Sequence, residues 1–338
     1  MSAAAASGER YRPWADAWQR ALYGPDGFYR AAAGPAAHFR TGVSASPLLA
    51  AALARLARES GLRRVVDVGA GRGELLAQLA AHDPELELVG LDVVPRPPGL
   101  PSAAAWVRSP GGARLPPGGA LVAACRGALV VAHEWLDVVP CPVLETDRSG
   151  VPRVVEVDVS TGAERLGAQA TAADLDWAAR WWPVETGRVE VGAPRDLAWA
   201  MLVRSAPDAV LLAVDYAHTR ADRPPGGTLA GFRDGRACPP RPDGSCDVTA
   251  HVALDAVAAA GREAGAVATV LTTQRTALLG LGIDPRRPAL EVASRDPRGY
   301  LDALARAGAA AELVDPGGFG GFGWLLQSTG PPLPDLTP

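Results

Sequence analysis

The fold is decided by the stretch Val65-Val66-Asp67-Val68-Gly69-Ala70-Gly71-Arg72-Gly73-Glu74-Leu75. A short apolar run enters a turn with glycine at every second position, and Leu75, Leu76 and Leu79 then recur on one helical face. This order predicts a strand, a tight loop and a helix, the opening unit of a nucleotide-binding α/β domain. Glycine suits the loop because a Cβ would block the approach of a ligand to the backbone and because glycine reaches positive φ.

The spacing of the glycines and the next strand narrow the range of ligands. A dinucleotide fingerprint would place its third glycine at position 74, where Glu74 stands instead. Residues 87–92 predict the second strand, and Asp92 at its carboxyl end can accept hydrogen bonds from both hydroxyls of a ribose. The alternative is a glycine-rich turn without a ligand, followed by a surface aspartate. The complete strand–loop–helix–strand order favours the ligand-binding interpretation.

The composition sets the class of protein. The 338 residues suit one large α/β domain with insertions or two small domains, and 48% hydrophobic residues supply a sizeable core. A net charge of −4 argues against general nucleic-acid binding. No apolar run is long enough for a membrane span, and the Ala/Ser-rich start does not resemble a secretory signal, so we expect a cytoplasmic protein. The oligomeric state stays open.

Two residue types are absent from the chain, and one of these absences excludes enzyme classes. The sequence has no lysine and no asparagine, so all 33 basic residues are arginine. Walker A nucleotide sites, Schiff-base enzymes and the Tyr-x-x-x-Lys pair of short-chain dehydrogenases all need lysine. The four cysteines (Cys125, Cys141, Cys238 and Cys246) form no Cys-x-x-Cys pair and the histidines show no ligand spacing, so we predict reduced thiols and no metal site.

The predicted organisation is one α/β domain with an insertion. Its expected parts are a disordered N-terminus (1–10), an N-terminal helical segment (11–60), the first half of the nucleotide-binding core (61–141), an insertion with a substrate role after strand four (142–207), the second half of the core (208–328) and a Pro-rich tail (329–338). Residues 220–247 are rich in proline and glycine and predict a long loop. Helices are expected at 46–59 and 249–260, and the last strand, 320–326, is expected at a sheet edge.

Acidic residues follow three of the predicted strands. Besides Asp92, Glu134 and Asp137 follow the fourth strand, and Asp215 ends the fifth. Ligands of open α/β sheets lie at the carboxyl ends of the strands, so these side chains are expected to converge on one cleft. Several carboxylates in one cleft are costly without a cationic partner, and a guanidinium pairs with carboxylates in bidentate fashion. The alternative is that Asp137 or Asp215 caps a following helix.

Two further features have both a functional and a structural interpretation. His251, within residues 247–252, is a candidate general base or substrate contact, or else a partly buried structural histidine. Trp177, Trp181 and Trp182 lie at helical spacing and could hold a cationic substrate, although packing against the core is the commoner use of such a stripe.

These motifs, in this order, resemble those of the MidA family of S-adenosylmethionine (SAM)-dependent methyltransferases, relatives of a mitochondrial complex I assembly factor. Asp67 followed by Gly-x-Gly-x-Gly also resembles motif I of class I methyltransferases in general. The similarity spans about residues 11–327. The segments that carry it are Ala21-Leu22-Tyr23-Gly24-Pro25-Asp26-Gly27-Phe28-Tyr29, then Phe39, Thr41, Ser46 and Pro47, then Glu134-Trp135-Leu136-Asp137-Val138-Val139-Pro140, Asp215-Tyr216, Gly227-Thr228-Leu229 and Asp247-Val248-Thr249-Ala250-His251-Val252.

The resemblance implies a class I methyltransferase fold, a mostly parallel seven-stranded sheet with helices on both faces, and SAM as the cofactor. The cofactor contacts that we expect come from Asp67, Gly69, Gly71, Gly73, Asp92, Thr41 and Glu134. Glu134 and Asp137 are expected to hold the methyl acceptor, and Asp215 and His251 to orient it. The mitochondrial relative is a protein arginine methyltransferase, which suggests N-methylation of a protein arginine.

Several positions depart from the family pattern. Gly42 and Val43 replace Ser-Pro, His133 replaces Asn, Ala217 replaces Gly, and Asp92 stands where Glu is expected. These departures keep two alternatives open, a methyltransferase of small molecules in a biosynthetic pathway and a non-catalytic SAM-binding assembly or scaffold protein. An NAD-dependent oxidoreductase is the weakest candidate, given the glycine spacing and the absence of lysine.

Overall fold

The computed structural model describes residues 10–30, 46–183 and 187–337, in which strands and helices alternate. The strands are, in chain order, β1 (Tyr11–Pro13), β2 (Arg64–Val68), β3 (Glu87–Asp92), β4 (Ala105–Arg108), β5 (Ala128–His133), β6 (Val143–Thr146), β7 (Pro152–Asp158), β8 (Glu164–Gln169), β9 (Arg188–Glu190), β10 (Val210–Asp215), β11 (Ala217–His218), β12 (Ala230–Arg233), β13 (Arg236–Cys238), β14 (Asp247–Thr249), β15 (Val252–Ala253), β16 (Ala268–Thr273) and β17 (Gly323–Ser328). The helices are α1 (Trp14–Tyr23), α2 (Pro47–Glu59), α3 (Glu74–His82), α4 (Gly118–Cys125), α5 (Ala172–Trp181), α6 (Ala193–Ser205), α7 (Leu254–Glu263), α8 (Gln274–Gly280), α9 (Glu291–Arg295) and α10 (Pro297–Leu313).

Seven strands form the central sheet, in the order β16-β17-β10-β5-β2-β3-β4. Neighbouring strands from β10 to β4 are parallel, whereas β17 runs antiparallel to both β10 and β16. The chain proceeds outward from β2 to β4 and then returns to β5 on the other side of β2, so the strand order reverses between β2 and β5. Open sheets bind ligands at such a reversal, outside the carboxyl ends of the strands. The mostly parallel sheet predicted from the sequence is therefore present.

Helices cover both faces of this sheet because its strands are apolar on both sides. In β2, Val65 contributes to a core formed with α2, α3, α8 and α10, and Val66 contributes to the opposite core, formed with α4, α6 and α7. Ser46 begins α2 as expected, since its hydroxyl accepts the N–H of Leu48 at 3.2 Å. Within the residues that the structure describes, no helix combines the length and the apolar character that crossing a membrane would require.

The last strand was expected at an edge, and this expectation is wrong. β17 lies between β10 and β16, and β16 forms the edge instead. The glycines that suggested an edge have another role. A Cβ on Gly323 would lie 2.6 Å from side-chain atoms of Ala217 and Leu254, so the glycine permits close packing at the start of an interior strand.

A second sheet lies within the segment 142–207 and includes the N-terminal strand. Its order is β1-β7-β6-β9, β8 also pairs with β7, and every pair is antiparallel. Next to it, α5 packs through Trp177 and Ala178. At the end of the segment, α6 leaves this sheet and packs against α7 in the core of the central sheet. The second sheet therefore stands beside the carboxyl end of β5, where it follows directly in the chain.

Residues 220–247 contain more regular structure than their composition indicates. β12 and β13 form a hairpin, and β14 pairs with the other side of β12. Asp234 and Gly235 close the hairpin with positive φ angles of 51° and 74°. An Asp-Gly dipeptide between two short β-forming runs is the local signal for such a turn, and it was obscured by the surrounding prolines and glycines.

The helix expected at 249–260 begins only at Leu254. The preceding residues are extended because their N–H groups are bonded to other parts of the chain. The N–H of Ala250 donates to the carbonyl of Asp137 at 3.1 Å, and that of Val252 donates to the carbonyl of Tyr216 at 2.8 Å. These tertiary hydrogen bonds take the place of a first helical turn.

Candidate functional site

The glycine loop after β2 has the backbone conformation that glycine permits. Gly69, Gly71 and Gly73 all have positive φ, at 78°, 56° and 78°. A Cβ on Gly73 would lie 2.5 Å from Leu100, so this glycine serves packing. A Cβ on Gly71 would meet nothing nearer than the Glu74 carboxylate at 3.8 Å. Gly71 lines a cavity, so the space beside it is open to a ligand.

Asp92 joins the glycine loop to the end of β3. Its Oδ2 accepts the N–H of Gly71 at 2.8 Å, and its Oδ1 accepts the N–H of Val94 at 3.0 Å. Burial raises the pKa of this carboxyl, and the backbone hydrogen bonds oppose that effect. Each carboxylate oxygen has a second lone pair, so both can accept one more hydrogen bond from a ligand.

The cavity beside the loop, here called the main cavity, has a volume of about 730 Å³. It lies at the carboxyl ends of β2, β3 and β5, where the strand order reverses. This volume is in the range of pockets for drug-sized ligands, roughly 300–1,000 Å³. Its walls carry six carboxyl groups and three arginines: Asp67, Glu74, Asp92, Glu134, Asp137, Asp247, Arg30, Arg72 and Arg96.

The wall of the main cavity has fewer arginines than carboxyl groups. Arg30 and Arg96 direct their guanidinium groups at backbone carbonyls, those of Tyr23 and Val93 for the first and those near Pro101 for the second. Carboxyl groups therefore outnumber arginines in the wall, and a ligand that carries positive charge would favour the ionised forms of these carboxyls.

Asp67, the acid inside β2, faces the main cavity and is almost fully buried. Burial, followed by the charges of Asp92 and Glu74, raises its pKa to about 8. A cation bound in the cavity would favour the ionised form of this carboxyl and lower its pKa. The residue is thus suited to a ligand with an ammonium or sulfonium group.

Glu134 and Asp137 lie in the turn that follows β5. Glu134 has a φ of 51°, a left-handed conformation that is uncommon for a residue other than glycine. Its Oε1 lies 3.3 Å from Nδ1 of His133. Burial and the charge of Glu134 raise the pKa of Asp137 to about 7. Among the described residues, Oδ1 of Asp137 has no hydrogen-bond partner, although this side chain lines the main cavity.

Asp215 accepts hydrogen bonds from the backbone of this turn. It is fully buried at the end of β10, and its Oδ2 accepts the N–H groups of Leu136 at 2.9 Å and Asp137 at 3.1 Å. It therefore stands behind Asp137 and is not among the residues that line the main cavity. The expected convergence of acids holds for Asp92, Glu134 and Asp137, whereas Asp215 contacts the backbone of the turn.

Arg195 is a residue that the sequence reasoning missed. Its side chain is almost fully buried, and its guanidinium donates to three backbone carbonyls, those of Val139 at 3.1 Å, His251 at 2.8 Å and Asp137 at 2.8 Å. It joins the turn after β5 to the segment before α7. Arg195 lies in the first turn of α6 between Pro194 and Asp196, so the local sequence carried no signal of its burial.

Residues 247–252 form one wall of the site. Asp247 lines the main cavity, and its Oδ1 accepts the hydroxyl of Tyr29 at 2.9 Å. The hydroxyl of Tyr23 donates to the carbonyl of Val138 at 3.0 Å. The N-terminal tyrosines of segment 21–29 therefore close the main cavity opposite the glycine loop.

His251 lies on the other side of this wall, away from the main cavity. Its ring stacks on that of Tyr216 with 5.7 Å between the centroids and 20° between the planes. The backbone N–H of His251 donates to the hydroxyl of Thr228 at 2.8 Å. Thr228 in turn donates its own N–H to the buried carboxylate of Glu190 in β9. Glu190, which sequence reasoning also missed, thus holds the Gly-Thr-Leu motif.

The tryptophan stripe packs against the core. Trp182 is fully buried and Trp177 nearly so, and Nε1 of Trp177 donates to Asp196 at 2.7 Å. Trp181 is partly exposed, under the guanidinium of Arg180 at 4.8 Å. The core-packing interpretation therefore describes this stripe.

Some expected site residues cannot be placed. Thr41, together with the departures Gly42 and Val43, lies outside the described residues. The other three departures lie within the described residues: Asp92 and His133 line the main cavity, and Ala217 lines the space beside Tyr216.

Comparisons with known proteins agree with this geometry. A family model described as "Putative S-adenosyl-L-methionine-dependent methyltransferase" matches residues 121–272. Two crystal structures of one superfamily, both from Burkholderia thailandensis, are similar over 96% of this chain. The first, bound to S-adenosyl-homocysteine, is 25% identical with a TM-score of 0.75 over 90% of its own chain. The second, a native structure, is 26% identical with a TM-score of 0.73 over 89% of its chain. None of the curated proteins matches the chain significantly.

The strand order, the glycine loop with its acidic partner, and these matches define the class of protein. The chain is a SAM-dependent methyltransferase, with SAM as its cofactor. The prediction of this enzyme class from the sequence is confirmed.

Proposed function

We propose that the main cavity holds SAM and an arginine side chain of a protein acceptor, and that the chain catalyses N-methylation of that arginine. The observation that carries the proposal is the pair Glu134 and Asp137, the first partly exposed and the second buried, which line the main cavity beside the glycine loop. A planar guanidinium is the side chain that pairs best with two adjacent carboxylates.

The described residues fit the cofactor. Asp92 would accept the ribose hydroxyls, since the N–H groups of Gly71 and Val94 fix the position of its carboxylate. Gly71 would allow the methionine part to approach the backbone, whereas the Cβ positions of Gly69 and Gly73 are directed at Trp135 and Leu100, so these two glycines serve the packing of the loop. Asp67 supplies a carboxyl that a nearby cation would ionise. Thr41 remains part of the proposed site on the strength of the family resemblance alone.

The acceptor would lie against the turn after β5. Glu134 and Asp137 would hold its guanidinium, and Asp215 would act on it only by positioning the turn. Arg195 would position the same turn from the other side. Pairing with carboxylates offsets the repulsion between a cationic acceptor and a cationic cofactor.

The reaction requires that the acceptor nitrogen be positioned against the methyl donor, and it requires one proton acceptor. When bound, SAM supplies an electrophilic methyl group, and the acceptor nitrogen forms the new N–C bond while sulfur keeps the electrons of the broken C–S bond. The nitrogen must then lose a proton. Asp137 is suited to take it, because a carboxyl with a pKa near 7 can accept a proton and release it at neutral pH.

Transfer of a labelled methyl group tests the proposal. Purified protein would be incubated with methyl-tritiated SAM and, separately, with the protein and small-molecule fractions of a cell extract. We expect label in the protein fraction, recovered as methylarginine after acid hydrolysis. Label in the small-molecule fraction would support the biosynthetic alternative, and SAM binding without transfer would support a scaffold role.

Substitution separates the acceptor residues from the cofactor residues. Glu134→Gln should lower the rate of methyl transfer by about 100-fold or more, because it removes the carboxylate charge that would pair with the acceptor guanidinium. The affinity for S-adenosyl-homocysteine, measured by calorimetry, should change by less than about threefold. Glu85→Gln, an exposed carboxylate at the far end of β3, is the matched control and should have no effect. Unchanged turnover in Glu134→Gln would refute the guanidinium site.

A further inference from the structure

A second cavity of about 530 Å³ opens beside the first. We call it the aromatic cavity, since its walls include Tyr216, His251, Phe319 and Phe322. Tyr216 and Phe322 have centroids 4.2 Å apart, and Phe319 and Phe322 lie 5.7 Å apart in an edge-to-face arrangement. With the stacked His251, these rings form one continuous aromatic surface.

The aromatic cavity adjoins the main cavity through two side chains. The ring of Phe322 lies 6.3 Å from that of His133, and His133 lines the main cavity next to Glu134. Tyr216 also belongs to the junction. Burial and then the charges of Glu134 and Asp137 raise the pKa of its hydroxyl, so this residue lies within the field of the acceptor carboxylates.

The charge of the aromatic cavity is negative. The described residues that line it include Glu312 and Asp315 and no arginine. Partial burial and the charge of Arg195 lower the pKa of His251, so its ring is neutral at pH 7. Neutral aromatic faces beside the Asp315 carboxylate match a weakly hydrated planar cation, which gains from stacking and from Coulomb attraction together.

We propose that the aromatic cavity is a recognition subsite for a second guanidinium side chain of the protein acceptor, one that flanks the arginine to be methylated. This proposal rests on the proposed function, because it places the methylated residue in the adjoining main cavity. Tyr216 is then the specificity-determining residue at the junction, and Asp315 supplies charge at the rim.

The test uses N-acetyl-argininamide and its neutral isostere N-acetyl-citrullinamide, titrated by calorimetry into the full chain saturated with S-adenosyl-homocysteine. We expect the arginine compound to bind with a Kd of about 1–10 mM, and the citrulline compound about tenfold more weakly, since the two differ in charge and little in shape. Equal binding of the two compounds, or no saturable binding of the arginine compound, would overturn the proposal.

Variants locate the bound cation. Tyr216→Ala and Asp315→Asn should each weaken argininamide binding by about fivefold. Asp315→Asn is the milder change, because Asp315 Oδ1 accepts the N–H of Gly317 and an asparagine oxygen can accept it too. Tyr300→Ala, on α10 and outside both cavities, is the matched control and should bind as the parent does. If Glu134→Gln weakens binding and the two cavity variants do not, the cation lies in the main cavity and the subsite is refuted.

Binding of S-adenosyl-homocysteine keeps the two proposals apart. It should be unchanged in Tyr216→Ala and Asp315→Asn, since neither residue lines the main cavity. If the parent protein does not bind S-adenosyl-homocysteine, the proposed function is refuted. If the parent binds it and neither variant weakens argininamide binding, the subsite alone is refuted.

Discussion

The guanidinium of Arg195 donates a 2.8 Å hydrogen bond to the backbone carbonyl of Asp137, across 58 residues of chain. The same guanidinium reaches the carbonyls of Val139 and His251. One buried side chain from α6 therefore joins the turn after β5 to the segment before α7. The conformation of this turn depends on a residue that does not itself line the main cavity.

Loss of Arg195 should destabilise the fold strongly. Arg195→Ala leaves two buried carbonyls and one partly buried carbonyl without their donor. Hydrogen bonds to charged groups contribute roughly 1.5–3 kcal/mol each, so a loss of about 3 kcal/mol or more is expected. Arg195→Lys should recover part of it. Arg204→Ala, exposed on the same helix, is the control. Urea denaturation measures all three, and equal stabilities for the two alanine variants would contradict the structural role.

Asp92 should govern cofactor affinity. Asp92→Ala removes both proposed ribose contacts and is expected to weaken S-adenosyl-homocysteine binding by about 10- to 100-fold, as for two hydrogen bonds to a charged acceptor. Glu87→Ala changes an exposed carboxylate at the other end of β3 and should leave affinity unchanged. Calorimetry compares the two, and parent-like affinity in Asp92→Ala would remove Asp92 from the site.

The glycine loop offers a test that separates strain from obstruction. Gly71→Ala and Gly61→Ala both put alanine at positive φ, at 56° and 71°, which costs about 1–2 kcal/mol in each case. Neither new Cβ would meet an atom closer than 3.8 Å. Gly71 lines the main cavity and Gly61 does not, so only Gly71→Ala should weaken S-adenosyl-homocysteine binding. Similar affinities for the two variants would show that the loop does not approach the cofactor.

Buried acids should make the cofactor-free protein less stable as pH rises. The folded-state pKa of Asp67 is raised to about 8, whereas an unfolded aspartate has a pKa of about 3.9. The folded state therefore holds an extra proton between these values, so this contribution is present below about pH 4 and is lost as pH rises toward 8. Asp137, with a pKa raised to about 7, acts in the same direction.

The measurement is the Tm of the cofactor-free protein between about pH 5 and pH 8.5. We expect Tm to fall across this range and the fall to be shallower in Asp67→Asn, which cannot ionise at this position. Asp302→Asn, exposed on α10, should retain the slope of the parent. A slope that is the same in Asp67→Asn would show that Asp67 ionises normally in the folded protein.

Local patterns predicted much of the fold. The apolar runs predicted the parallel strands, the Gly-x-Gly-x-Gly turn predicted the loop, and Ser46 with Pro47 predicted the start of α2. The errors occurred where distant residues compete for the backbone. Residues 249–253 were predicted to begin a helix, but three of their N–H groups donate to Asp137, Thr228 and Tyr216 instead.

The sequence by itself determined the class of protein, because glycine spacing, strand-end acids and hydrophobic periodicity all act within a few residues. It also named four of the six carboxyl groups of the main cavity (Asp67, Asp92, Glu134 and Asp137), since the carboxyl ends of parallel strands meet at one edge. Only the tertiary structure decided that Asp215 and Arg195 form hydrogen bonds to the backbone of the turn after β5, that Glu190 accepts the N–H of Thr228, and that His251 lines the aromatic cavity. These contacts join residues 38 to 78 positions apart, and a side chain's burial and partners at that range follow from packing rather than from local pattern.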